Sequence, residues 1–431
     1  MNPHLANDTS KNVVIYINDF YPEFAAAFTK LSDRLGRPLR GVMLIDAERK
    51  ANGKNLPDKE GLFEEIVVDF SDDAALSRAL KPLEKNLLLV SCDSERSQLY
   101  FKKVIPHVPY VNTPSESSID WSTNKARMRE MLSGYDENIA PKALEVLDDT
   151  KETISKIIDY LEFPLIIKPA NLNSSILVNK VHDEKELTET LRNSFTVLRE
   201  VHAKYRGLGD LTMVVEEFIK GNTYSIDAYI NDKGDTYMLP FIHYENASMV
   251  GEEGYQIYRN QTFTTLTSED IAEGQMVAKK AMHAVGLRSS VAHIELFHTK
   301  SGWKVVELGA RPGGQRQDLY EVSYGIDHAL NELLVKIGLE PDIKTDLNIY
   351  AETFNLYAPH AGIVESLEGT EDARRHQNMH SLEISVKPGD KVMPSTDGGS
   401  MLIYGLMYDN NRERLRQYTD MMRSSIKINV R

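Results

Sequence analysis

The densest run of chemically capable side chains in this 431-residue chain lies between Val291 and Arg316. Val291–His298 alternates apolar and polar residues like a strand, Trp303–Leu308 forms a second such run, and Thr299-Lys-Ser-Gly302 joins them. A three-residue hairpin loop, Lys300–Gly302, puts glycine at the position that needs positive φ. Thr299 then faces Trp303, and four residues further back Glu295 faces Glu307. Two carboxylates directly opposed on one face destabilise a sheet. A divalent cation between them reverses the sign, and magnesium accepts such sparse coordination, completed by water and phosphate oxygens. The competing reading is a pair of solvated, screened glutamates. The residues after the second carboxylate favour the cation: Glu307-Leu-Gly-Ala-Arg-Pro-Gly-Gly-Gln-Arg316 leaves the strand with Arg311 four residues after Glu307, then two consecutive glycines. An arginine fork beside a metal matches the charge that builds up on a transferring phosphoryl group.

This segment resembles the ATP-grasp signature, in which a glutamate on one strand precedes a Glu-x-Asn-x-Arg motif on the next. The resemblance implies that Glu295 and Glu307 hold magnesium (or manganese in its place) and that Arg311 is the catalytic arginine that neutralises phosphate. Gly309 stands where relatives carry the asparagine ligand, so a water or another side chain must replace it. The Glu-x-Gly-x-Arg-x-Gly-Gly form resembles the carboxylate–amine ligase branch, which contains L-amino-acid ligases and carnosine-synthase-like enzymes, more than it does biotin carboxylase. ATP is the implied cofactor, although no Walker A motif occurs. The resemblance assigns Lys125 and Lys168 to phosphate, and Glu216, Phe218 and Ile219 in Met213–Gly221 to a hinge that reads adenine. Ser174 and Ser175 stand where relatives carry a flap over the phosphates, here without glycine.

Substrate residues are less marked. Glu245, beside a loop containing Gly251 and Gly254, could hold an ammonium group, with a polar surface loop as the alternative. His293 shares a strand face with Glu295, where a site role and a structural histidine are both open. Arg316 could bind a substrate carboxylate bidentately, against the alternative of an exposed salt-bridge partner. No Ser/His/Asp or Cys/His spacing suggests a protein nucleophile, which an acyl-phosphate mechanism does not need. The implied function is an ATP-dependent ligase joining a small-molecule carboxylate, an amino acid by this branch, to an amine. An N-carboxylase of biotin-carboxylase type and a non-catalytic nucleotide-binding protein are the alternatives, the latter motivated by Gly309 and the glycine-free flap.

The elements that must position these groups follow a βαβα rhythm at first. Val13–Ile17, Gly41–Ile45, Glu65–Val68, Leu87–Ser91 and Val108–Val111 read as strands, with helices at Glu23–Leu35, Asp73–Leu83 and Glu95–Val104. The turn after the first strand, Asn18-Asp-Phe-Tyr-Pro22, lacks the glycines of a dinucleotide site. A short helix is expected at Asn124–Ser133, capped by Ser122 or Thr123 and stopped by Gly134; a longer one spans Glu269–Val285 with Ser268 as cap. The expected fold class is α/β and α+β. An N-terminal Rossmann-like parallel sheet occupies 1–115, the two-subdomain ATP-grasp fold implied by the resemblance 116–345, and a small β-rich C-terminal lid 346–431.

A net charge of -14 argues against nucleic acid as partner. The one cysteine, Cys92, cannot form an internal disulfide and reads as a packing thiol. The N-terminus has no signal-like apolar core, and no apolar run approaches the roughly 20 residues of a membrane helix. The expectation is a cytoplasmic protein without membrane contact; relatives are often dimers, so a homodimer is the implied oligomer.

Overall fold

The computed structural model describes residues 5–19, 23–52, 63–171, 177–204, 212–251, 254–395 and 399–431. The first sheet is parallel, with strands β1 (Val13–Ile17), β2 (Arg40–Asp46), β3 (Phe63–Val68) and β4 (Leu87–Ser91) in the order β3-β2-β1-β4. β1 and β4 are buried along their whole length, as near-continuous apolar runs covered on both faces must be. Val108–Val111 is not a strand. A 3-10 turn covers Ile105–His107, and Pro109, which cannot donate to a ladder, comes two residues later. Cys92 is buried at the end of β4, and desolvation raises its thiol pKa, which makes it inert.

A second, separate sheet contains β5 (Ala143–Val146), β6 (Leu165–Pro169), β7 (Asn179–Val181) and β8 (Met213–Glu217) in the antiparallel order β5-β8-β6-β7. Its apolar core, including Ile154, Leu165, Leu187 and Phe195, is distinct from the others. The third and largest sheet starts with β9 (Asn222–Ile230), β10 (Thr236–Met238), β11 (Ile242–Asn246), β12 (Ile257–Gln261), β13 (Ser290–Thr299) and β14 (Gly302–Gly309). C-terminal strands β15 (Tyr350–Leu356), β17 (Met379–Ile384) and β19 (Ile403–Asp409) extend it, giving the order β14-β13-β9-β11-β12-β15-β19-β17 with β10 at the side of β9. The sheet thus runs without a break from the acidic hairpin into the C-terminal region. The remaining strands, β16 (Gly362–Glu368), β18 (Lys391–Val392) and β20 (Lys427–Val430), form a small antiparallel sheet.

Two helices that matter for the site differ at their ends from the sequence expectation. Lys125–Tyr135 is capped by Asn124, whose side chain accepts from the Ala126 and Arg127 amides, and Gly134 lies inside its last turn. Ser268–Ala284 is capped by Thr267, in a capping box with Asp270. No helix among the described residues is long and apolar enough to cross a membrane.

Candidate active site

The acidic hairpin reaches its expected pairing by a different route. The connection is one residue tighter than expected: Thr299 pairs with Gly302, whose φ is +101°, and His298 with Trp303. That register would slide Glu295 past Glu307. A bulge on β14 places one extra residue opposite the step from Leu296 to Glu295, and Glu295 faces Glu307 after all. The carbonyl of Val306, within the bulge, accepts from Arg129 Nη2, so the irregularity is anchored to the helix Lys125–Tyr135.

That helix presents two cations one turn apart. Lys125 Nζ lies 3.3 Å from Glu307 Oε1, and the Lys125 amide donates to the Ala170 carbonyl beyond β6. Arg129 Nε donates to Glu216 Oε2 at 3.0 Å, and the other Glu216 oxygen is in contact with Lys168 Nζ. All three groups of this triad are buried. Burial pushes the Glu216 pKa upward, but Arg129 and Lys168 outweigh it and the carboxyl is held below its ordinary value. Burial dominates for Lys168, whose pKa is lowered despite Glu216. Both oxygens of Glu216 are therefore committed to cations, one from the helix and one from β6. Phe218 follows directly; its amide donates to the Pro164 carbonyl and its ring lies 3.8 Å from Lys180 Nζ. Ile219 is half-buried beside it. Ser174 and Ser175 lie outside the described residues.

Alternation along the strands decides which candidates meet Glu295. Ser225 on β9 pairs with Glu295, and Asp227 with His293, so these four side chains share one face. Asp227 is fully buried and accepts from His293 Nδ1 at 2.6 Å, His328 Nε2 at 2.8 Å and the Gly313 amide at 2.8 Å. His293 turns its Nε2 toward Glu295 Oε1, 3.5 Å away, and the Tyr244 hydroxyl donates to Glu295 Oε2 at 3.2 Å. Burial opposes the imidazolium, yet the Asp227 carboxylate raises the His293 pKa. Burial likewise pushes Glu295 up, but His293, Arg316 and Arg311 together bring it down to about 2. Glu295 is an anion throughout the physiological range.

Arg316 is 2% exposed, which removes the surface salt-bridge alternative. Its Nη2 donates to Ser225 Oγ at 2.9 Å, directly across from Glu295. Gly313 makes this possible: a Cβ there would overlap both His293 Nδ1 and Arg316 Cγ. Arg311 takes another direction, its Nε bonded to Glu95 in the N-terminal region. Glu245 does not reach this face. It follows Tyr244 on β11, so it points to the opposite side of the sheet, where Arg259 Nε lies 3.1 Å and Arg416 Nη1 3.4 Å away. Its neighbour there, fully buried Glu352, accepts from Arg259, Arg416 and Thr419, tying the helix Arg412–Ser425 to β12 and β15.

Sequence reasoning missed Arg129, Asp227, Tyr244 and Glu95. Arg129 had a local signal, its spacing of four from Lys125 on a helix. The others meet the site only through strand pairing and packing between distant segments.

Carboxylates opposed across a hairpin, cations from a preceding helix, and a second small sheet tied to the hairpin through that helix define an ATP-grasp architecture. Residues 161–318 match the ATP-grasp domain family, and residues 355–431 match the family described as L-amino acid ligase C-terminal domain 2. The chain thus contains an ATP-grasp domain followed by a domain of the L-amino acid ligase C-terminal type. In sequence it is 25% identical over 219 residues to the phosphoribosylamine–glycine ligase of Methanosphaera stadtmanae, covering 46% of this chain and 47% of that protein. It is 28% identical over 209 residues to the D-alanine–D-alanine ligase of Shouchella clausii, covering 46% and 52%. The chain spans about half the length of these sequence relatives. In fold it is similar to the L-amino acid ligase from Bacillus licheniformis, with a TM-score of 0.77 at 19% identity over 98% of this chain and 99% of that one. The N5-carboxyaminoimidazole ribonucleotide synthetase from Thermotoga maritima is similar at 0.68 and 17%, over 97% and 100%.

Proposed function

We propose that this protein joins a carboxylate, an amino acid in the first instance, to an amine at the expense of ATP, through an acyl phosphate. The observation that carries the reading is the Glu295–Glu307 pair, opposed across the hairpin by a bulge that restores that register. The donor set fits magnesium: two hard carboxylate oxygen donors on adjacent strands, one of them ionised down to about pH 2. Among the described residues no group of three His, Cys, Asp or Glu side chains is close enough to hold a metal, so further ligands would have to come from water and phosphate. When bound, magnesium would neutralise the phosphate oxygens and orient the γ-phosphoryl group.

The chain's own residues supply the rest. Lys125 and Lys168 enter from the helix and the small sheet and offset phosphate charge; Glu216 and Arg129 hold Lys168 in place. A substrate carboxylate oxygen attacks the γ-phosphorus, the bond to ADP breaks, and the amine then attacks the acyl carbon with loss of phosphate and a proton. Arg316, buried beside Glu295, and Arg311 at the strand end would compensate the charge that develops on the phosphoryl oxygens.

Incubation with amino-acid pairs, ATP and magnesium should yield ADP and phosphate only when both acid and amine are present. AMP as the product would overturn the acyl-phosphate step, and formation of ADP that requires bicarbonate would point to N-carboxylation instead. Glu307→Gln should abolish turnover while leaving the thermal midpoint nearly unchanged.

A further inference from the structure

Gly309 stands where the ATP-grasp signature carries an asparagine, and the structure shows what fills the space. It lies two residues beyond Glu307 on β14, on the same face, paired with His293. From the position a Cβ would take at Gly309, the nearest atoms are Glu95 Oε2 at 3.4 Å and Arg311 Cγ at 3.4 Å. Glu95 Oε2 thus lies in van der Waals contact with the point where an asparagine side chain would begin. A carboxylate oxygen from the other end of the molecule stands there instead.

Glu95 is not placed casually. It opens the 3-10 turn Glu95–Ser97 just after β4, at the carboxyl end of the parallel sheet where open α/β folds gather their ligand groups. Its side chain is 21% exposed, and Oε2 bonds Arg311 Nε. Arg311 is itself close enough to lower the Glu295 pKa, so Glu95 borders the same charge cluster.

We propose that Glu95 is the surrogate for the missing asparagine, an oxygen donor supplied from the N-terminal domain to a second divalent cation shared with Glu307 and the nucleotide phosphates. The assignment rests on the ATP- and magnesium-dependent reading above. A carboxylate has two oxygens and about four lone-pair directions, so one oxygen can serve a cation while the other stays with arginine. Phosphate competes with Glu95 for the Arg311 guanidinium and so turns the carboxylate toward the cation. The loss of asparagine is thereby coupled to domain arrangement: the second ion is complete only when the N-terminal domain is docked on the hairpin.

The test is manganese titration of the full chain in the presence of a non-hydrolysable ATP analogue, read by electron paramagnetic resonance. Wild type should bind two manganese ions per chain. Glu95→Gln should keep the first and weaken the second by about tenfold or more. Gly309→Asn added to Glu95→Gln should restore the second, because a Cβ at Gly309 meets only ordinary van der Waals contacts. Two ions with unchanged affinity in Glu95→Gln would overturn the assignment while leaving the ligase reading intact. An unchanged second ion with a raised KM for the amine alone would make Glu95 an ammonium holder and also overturn it. Wild type that binds no manganese with the nucleotide would overturn the ligase reading itself. Thermal melting without ligand separates these results from misfolding.

Discussion

Asp227 holds His293 by a 2.6 Å bond from Nδ1, and through it sets the side of the ring that faces Glu295. The same carboxylate takes the Gly313 amide and His328 Nε2, so one buried anion orders both the strand bearing the carboxylate ligand and the turn leading into the helix that starts at Arg316. Asp227→Asn keeps the shape but removes the charge and one acceptor. Breaking a buried ion pair in this way costs about 3–5 kcal/mol. Urea unfolding should report a loss of that order; a change under about 1 kcal/mol would show that the Asp227 charge contributes little to holding this face together.

Gly313 is a contact point between two site residues. Gly313→Ala must push His293 or Arg316 aside, at about 1–3 kcal/mol for overpacking. Turnover should fall far more than stability, since either displacement moves a group beside Glu295. Equal ADP formation by wild type and variant would remove both residues from the chemistry.

Lys168→Met replaces a buried cation by an apolar chain of similar length and leaves Glu216 with Arg129 alone. Calorimetry with an ATP analogue should show affinity lowered by about tenfold or more, on the order of 1.4 kcal/mol. Unchanged affinity would mean that Lys168 serves only to neutralise Glu216.

Stability should carry the signature of Glu295. Its folded pKa is about 2. The unfolded value is about 4.3, so the unfolded chain takes up the proton first as pH falls. The stabilisation is complete above about 4.3 and is lost as pH drops toward the folded value. Urea midpoints measured from pH 5 to 3 should fall more steeply for wild type than for Glu295→Gln. Parallel slopes would show that the carboxylate is not held ionised by His293 and the arginines.

Much of the frame was legible because it rests on local rules. Parallel strands read as unbroken apolar runs, the acidic hairpin as strict alternation, and the helix Ser268–Ala284 as a capped amphipathic segment. Sequence expectation and structure part where a single residue changes the rule. Pro109 ended a would-be strand, and Asn124 rather than Ser122 or Thr123 capped the helix that carries Lys125. The pairing of Glu295 with Glu307 was reached from a loop one residue too long; the bulge that compensates is held by Arg129, which local patterning does not reveal.

Glu245 shows the other limit. Its type and its place beside a glycine-containing loop suggested a substrate contact, but it follows Tyr244 on the same strand, and only the pairing of β11 with β9 shows which of the two faces Glu295. Period-two alternation says that neighbours point apart, not which side is the site.

By itself the sequence determined the type of chemistry: two glutamates, an arginine and paired glycines at spacings that a phosphate-handling hairpin requires. Which side chains complete that hairpin was decided by tertiary structure. Glu95, Asp227 and Arg129 come from segments distant in the chain, and their contacts depend on how separate sheets dock. Spacing along a chain encodes neighbours a few residues apart. Long-range electrostatic partners are set by burial and packing, which appear only when the chain is folded.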